Sequence, residues 1–219
     1  MAKVTKKVLG ASRGKVADVV FRKYRVANVA QSYQPAPQNP RTAAQVSQRT
    51  KFGKLSDLAQ GMAPVINIAA RYETRGTMLS PRNKFIRLNK DCFAGNAISY
   101  PEIILNGQSR LVFIPGDVDT DNPNEIKVEY EPIITGSAAN QWDIYLVVYS
   151  KDMNGVVYEK DTMSGTSTGS VTINTPSSWG GLQVHLFMFA IYKGEDDVEN
   201  GLYKGCASSS QFAGATNIS

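Results

Sequence analysis

The residue types that most often perform catalysis are sparse in this chain and far apart along it. His185 is the only histidine, and it lies in the apolar run "LQVHLFMF", where a packed strand residue is the expected role. Cys92 and Cys206 lack the Cys-x-x-Cys spacing of a metal site or a redox pair. We therefore predict no catalytic residue, no enzymatic activity and no cofactor, and we expect both thiols to be free and buried.

Acidic residues alternate in "PGDVDTDNPNE" (115–125), which gives Asp117, Asp119 and Asp121 the spacing that begins a calcium-binding loop. The sixth position of such a loop would be Asn122 instead of glycine, and the twelfth would be Val128 instead of glutamate. The three aspartates are the only candidates for a metal site. A solvated acidic turn between strands is the preferred interpretation.

The charge of the chain is divided along its length. Of the 24 Lys and Arg residues, 18 lie within residues 1–90, together with only 3 of the 19 Asp and Glu residues. A basic half can bind nucleic acid, or it can dock on the acidic half of another copy. No nucleic-acid-binding motif accompanies the basic residues, so a protein partner is favoured. The predicted interface residues are Arg13, Lys15, Arg22, Lys23, Tyr24, Arg25, Tyr33, Arg41, Arg49 and Phe52.

The first half of the chain predicts two strands and then helices. Residues 10–24 and 25–34 are rich in β-branched and aromatic side chains, which favours a β-hairpin. Three prolines in "QPAPQNP" (34–40) indicate an extended connector. Thr42 and Gln45 have capping-box spacing, and Val46, Phe52 and Leu55 begin an apolar stripe, so we predict a helix over about 42–62. Ser80 and Pro81 should begin a second, shorter helix.

From about residue 97, short β-rich runs beginning with "ISYPEIILN" (98–106) alternate with turn signals, which predicts an antiparallel sandwich. Asn154-Gly155 marks a hairpin. "WDIYLVVY" and "VHLFMFAIY" resemble central strands of an immunoglobulin-like module, with Trp142 in its core. The predicted fold is mainly β with an α-helical N-terminal part. Residues 1–96 would form a basic hairpin, connector and helices that dock, and residues 97–219 an immunoglobulin-like β-sandwich.

Residues 10–59 resemble an uncharacterised family of Bacteroidetes and their phages, the domain of unknown function 6266, and "LSPRNKFIRLNK" (79–90) resembles its second block. The resemblance implies no catalytic residues. The family's phage association implies a virion component, from a crAss-like phage, a relative or a prophage. The residues that carry the resemblance are Gly14, Lys15, Val16, Val20, Arg22, Ser32, Tyr33, Asn39, Pro40, Arg41, Thr42, Gln45, Arg49 and Phe52.

These features predict a non-enzymatic structural protein of a bacteriophage virion. A ring-forming tail or neck (head–tail) protein is the first placement, assembling through its basic N-terminal region with copies of itself and other virion proteins. A capsid-decorating or fibre-attachment role is the second. The alternatives are a nucleic-acid-binding or packaging-associated protein, and a host-surface-binding module with a site near Trp179.

No apolar run is long enough for a membrane helix. Because "MAKVTKKVLG" lacks the apolar segment of a signal peptide, we expect synthesis in the bacterial host cytoplasm and localisation in the virion.

Overall fold

A computed structural model describes residues 2–4, 14–24, 27–33, 41–134, 136–164, 168–196, 202 and 204–218. The fold is mainly β: of the described residues, 40% lie in strands, which form antiparallel sheets, and 27% are helical. This confirms the predicted class at that level. The helices follow the N-terminal strands along the chain instead of beginning it.

The strands of the described residues fall into three sheets and a short hairpin. The N-terminal sheet has the order β1-β4-β3-β2, a second sheet β10-β9-β12-β13, and a third β11-β8-β7, while β5 pairs with β6. The strands are β1 (Ala2–Val4), β2 (Gly14–Val16), β3 (Val19–Tyr24), β4 (Ala27–Ser32), β5 (Phe93–Ala94), β6 (Ala97–Ile98), β7 (Phe113–Asp119), β8 (Glu125–Pro132), β9 (Trp142–Ser150), β10 (Gly155–Thr162), β11 (Gly169–Asn174), β12 (Gln183–Tyr192) and β13 (Gln211–Asn217).

In the described part of the chain, four α-helices lie between the N-terminal sheet and the later strands: α1 (Ala43–Gly61), α2 (Ala63–Ala69), α3 (Arg71–Thr74) and α4 (Pro81–Leu88). The Oγ1 atom of Thr42 accepts the Gln45 amide at 3.4 Å, and the Oγ atom of Ser80 accepts the Asn83 amide at 3.1 Å. Both predicted helix starts are therefore confirmed. The predicted apolar stripe of α1 is buried only in its second half, because Leu55 and Leu58 pack inward whereas Val46 and Phe52 stay exposed.

The sheet β10-β9-β12-β13 is apolar on both faces because another layer covers each of them. One face packs on β7, β8 and β11 through one apolar cluster, which contains Trp142 as predicted. The other face packs on the helices through a second cluster that joins Leu58 and Phe85 to Phe187 and Phe189. Burial on both faces explains why "VHLFMFAIY" reads as a continuous apolar run instead of an alternating one. The predicted domain boundary between residues 96 and 97 stays a prediction. The second cluster contains residues from both sides of this boundary.

The predicted strand in "ISYPEIILN" (98–106) is wrong beyond Ile98, the last residue of β6. Residues Tyr100–Glu102 form a 3-10 turn, and the following backbone bonds to a side chain instead of to a strand. The Asn89 carboxamide accepts the Ile104 amide at 2.7 Å and donates to the Ile104 carbonyl oxygen at 2.7 Å. This side chain takes the place of a neighbouring strand at Ile104, so the β-rich residues 103–106 form no ladder.

Candidate assembly surface

The N-terminal sheet has a basic face built by strand alternation. Antiparallel register places Lys15, Val20 and Gln31 opposite one another, and Arg22 opposite Val29. The Arg22 guanidinium donates to the Gln31 side-chain oxygen at 3.1 Å. On the same face the Lys15 ammonium lies 3.5 Å from the centre of the Tyr33 ring, a cation–π contact. Val29 is buried on this face, while Lys15, Arg22 and Tyr33 remain exposed.

The opposite face of this sheet is apolar and exposed. The register aligns Val16 with Val19, and Phe21 with Ala30. Val16 is 65% exposed and Val19 is 37% exposed. Among the described residues, the N-terminal sheet contributes no side chain to either apolar cluster of the fold. A small sheet normally needs a covering layer for stability, so this face is suited to burial against another protein surface.

Six of the ten predicted interface residues have described side chains, and these six fall in two regions. Lys15, Arg22 and Tyr33 share the basic face of the sheet. Arg41 precedes α1, and Arg49 and Phe52 lie three residues apart on its exposed first half, where Phe52 is 59% exposed. The structure therefore brings Lys15, Arg22 and Tyr33 together on one surface. Arg13, Arg25 and the side chains of Lys23 and Tyr24 lie outside the part that the structure describes.

Acidic side chains collect on the outer face of the sheet β11-β8-β7. In β8, Ile126, Val128 and Tyr130 point into the core, so the alternate residues of the strand face outward. Lys127 is the one basic member of this row, and it pairs with Glu129 at 3.4 Å. The remaining acids give the surface a charge opposite to that of the N-terminal sheet. We define this acidic face by Asp117, Asp119, Glu125, Glu129 and Glu131.

The three aspartates predicted as metal-ligand candidates do not converge. Asp117 lies in an irregularity of the β7–β8 ladder, between Pro115 and Val118. The Asp119 carboxylate accepts the Asp121 backbone amide at 3.0 Å and so closes a local turn. In the described ranges of the chain, no group of three or more His, Cys, Asp or Glu side chains is arranged to hold a metal ion.

His185 is packed, as predicted for a strand histidine, and is 8% exposed. Its ring stacks on Tyr100 with centroids 3.6 Å apart. Burial lowers the pKa of the imidazole, and the nearby Lys151 ammonium lowers it further. The side chain therefore remains neutral within the core at neutral pH.

Both cysteines are free and buried, as predicted. The Cys92 thiol donates to the Glu102 carbonyl oxygen at 3.0 Å, and burial raises its pKa, with Glu102 and Asp91 acting in the same direction. Cys92 and Cys206 belong to different apolar clusters. Trp179, named above for a host-surface site, is 5% exposed and packs into the core between the two sheets.

The amino-acid pattern of a known family covers most of the chain. The family of unknown function DUF6266 matches residues 11–205, and the chain belongs to that family. No curated protein and no solved structure matches the chain significantly. Within the described residues, no helix has both the length and the apolar character needed to cross a membrane.

Proposed function

We propose that this chain is a non-enzymatic structural component of a bacteriophage particle that assembles through its N-terminal region. The observation that carries the proposal is the N-terminal sheet, whose exposed apolar face contributes none of its described side chains to either apolar cluster of the fold. Burial of that face on a neighbouring protein supplies affinity. The placement in a phage particle comes from the family's phage association, and a ring in the tail or neck is our first position for it.

The two charged surfaces suggest how copies meet. The basic face carries Lys15 and Arg22, and the acidic face carries Glu129 and Glu131 on a different sheet. Opposite potentials steer association and fix its register. Because the two surfaces differ, a contact between them is head-to-tail, and such contacts close into rings when the rotation between subunits permits.

We further infer that the two later sheets form an immunoglobulin-like sandwich. In that fold, strands A, B and E share one sheet and C, F and G the other, and C′ is added beside C in some members. The strand order β11-β8-β7 against β10-β9-β12-β13 supports this, with β7, β8 and β11 as A, B and E. Strand C of immunoglobulin domains carries a buried tryptophan, and Trp142 begins β9, the equivalent strand.

The assembly state of the purified protein tests the proposal. We expect multimers or rings by light scattering and negative-stain microscopy, and we expect the protein in purified virions by mass spectrometry. The double change Val16→Ser and Val19→Ser should shift the protein towards monomer because it removes apolar area from the docking face. Met153→Ser is the matched control, since Met153 is 51% exposed in a turn outside the proposed surfaces.

Two results would overturn this assignment. One is a monomer at every concentration combined with absence of the protein from virions. The other is tight binding of duplex DNA that weakens steeply with salt and is lost in Arg22→Glu, since phosphate contacts release counterions. That second result would assign the basic face to nucleic acid instead of to a protein neighbour.

A further inference from the structure

A cleft of about 1010 Å³ lies where the helical layer meets the strands β9 and β12. Helices α2 and α3 form one wall, and the segment before β13 contributes Lys204 and Gly205. Its volume is at the upper end of the range for small-molecule sites. Among the interface residues whose side chains are described, none lines this cleft, so it is separate from the described part of the assembly surface.

Three basic side chains converge on this cleft from two segments. Arg71 and Arg75 lie four residues apart across α3 and its C-terminal end, a spacing that puts two side chains on one helical face. Lys204 enters from the segment between β12 and β13. Within the part of the chain that the structure describes, no carboxylate forms an ion pair with any of the three.

Two described acids that share a neighbouring pocket with Arg75 and Lys204 already have hydrogen-bond partners. The Glu73 carboxylate pairs with Lys84 at 3.0 Å and accepts the Gly107 amide at 2.8 Å. The Asp196 carboxylate, at the rim, accepts the backbone amide of Lys204 at 2.7 Å. Glu73 is neutralised by its ion pair and Asp196 keeps its negative charge, so among the described residues three cations face one unpaired carboxylate.

An apolar and aromatic surface lines the same cleft as these cations. It consists of Ile68, Ile191 and Tyr145, all half-buried. The Tyr145 ring is held against Phe189, with centroids 5.0 Å apart and planes inclined by 2°. Burial raises the pKa of the Tyr145 hydroxyl, with Asp143 and Tyr158 acting in the same direction, so this group stays a neutral hydrogen-bond donor.

We propose that the cleft binds an organic anion with several negative charges, either a phosphate or a carboxylate. Arg71, Arg75 and Lys204 hold the charged groups, because guanidinium forks pair with both kinds of oxyanion in two-point contacts. A planar or apolar part of the ligand lies on Tyr145 and Ile191. The proposal is independent of the assembly surface and of the phage assignment.

Calorimetric titration of the full chain at low salt tests this site with three probes: pyrophosphate, ADP and citrate. We expect at least one to bind, and the double change Arg71→Gln and Arg75→Gln to weaken it by roughly tenfold or more, as expected for the loss of charged hydrogen bonds. Arg87→Gln is the matched control, because Arg87 is an exposed arginine of α4 outside the cleft. Arg71, Arg75 and Lys204 are exposed, so these variants should fold, which circular dichroism checks.

The pattern among probes identifies the ligand chemistry. ADP and pyrophosphate binding above citrate assigns a phosphate, and the reverse order assigns a carboxylate. Tighter binding of ADP than of pyrophosphate, lost in Tyr145→Ala, supports the aromatic floor. Lys204→Gln should also weaken the probe that binds. No binding of any probe at millimolar concentration overturns the proposal, as does equal binding by the wild type and the Arg71→Gln, Arg75→Gln variant.

Discussion

Gly61 ends helix α1 directly against the turn that joins β9 and β10. A methyl group at this position would meet the Asn154 carboxamide and lie 2.8 Å from the Asn154 carbonyl oxygen. The Tyr149 hydroxyl donates to the same carboxamide oxygen at 3.0 Å, so the turn has little freedom to move away. Because glycine has no side chain, Gly61 allows the end of α1 to lie close to the turn between β9 and β10.

This contact gives a prediction with an internal control. Gly61→Ala should lower the free energy of unfolding by about 1–3 kcal/mol, the usual cost of overpacking. Gly53→Ala changes the same residue type in the same helix, where nothing lies within 4 Å. It should raise the free energy of unfolding by about 0.5–1 kcal/mol. Urea unfolding measures both, and a loss of stability at Gly53 equal to that at Gly61 would contradict the packing argument.

His185 predicts a dependence of stability on pH. Burial holds its pKa below the ordinary value of 6.5, so the unfolded chain takes up a proton at a higher pH than the folded chain. The free energy of unfolding should therefore fall as the pH drops below about 6.5, until the pKa of the folded state is passed. His185→Gln should have a flatter profile between about pH 7 and pH 5. Equal slopes for the wild type and this variant would show that His185 does not titrate differently on folding.

At the scale of elements, the starts of two helices were predictable because their signals are local. Thr42 and Ser80 each cap a helix within three residues of sequence. The exposure of Val46 and Phe52 was not predictable, because periodicity identifies one face of a helix but not how much of its length another layer covers. The prediction of a strand around Ile104 is wrong for a related reason. Its partner is the side chain of Asn89, and strand propensity carries no information about such a contact.

The cap of α4 can be tested by substitution. Ser80→Ala should lower the free energy of unfolding by about 1 kcal/mol, since the Asn83 amide loses its acceptor at the helix start. Ser80→Asp should retain most of the stability, because aspartate is also a good cap and its charge favours the helix N-terminus. Chemical denaturation of the three proteins checks this. Equal losses for both variants would show that a contact other than the cap matters here.

At the scale of the whole molecule, the sequence predicted opposite charges in the two halves but not the surfaces that carry them. Strand register decides that Lys15, Arg22 and Tyr33 share one face, and the inward packing of Ile126 and Val128 decides which acids face outward. No pattern in the sequence predicted the cleft. Lys204 is far from Arg71 and Arg75 in sequence, and only tertiary packing brings it to the same cleft.

If the charged faces meet in assembly, charge reversal should weaken it. Glu131→Lys should lower the association constant several-fold, and the double change with Arg22→Glu should restore part of the loss, because the attraction is regained with reversed signs. Glu159→Lys on β10 is the control, since it makes the same change of charge on an exposed residue outside the acidic face. Sedimentation at several salt concentrations measures the effect. An equal effect of Glu159→Lys would attribute it to net charge alone.

The two layers that pack on the sheet β10-β9-β12-β13 determine where the chain can be shortened. A fragment that begins at residue 41 keeps the helices over Phe187 and Phe189 and loses only the N-terminal sheet, so it should stay folded and soluble. A fragment that begins at residue 97 would leave that face of the sheet bare, and we expect it to aggregate. Expression and gel filtration of the two fragments compare them directly. The smallest self-sufficient unit of this protein is thus set by its helices, although they make up the minor part of a mainly β fold.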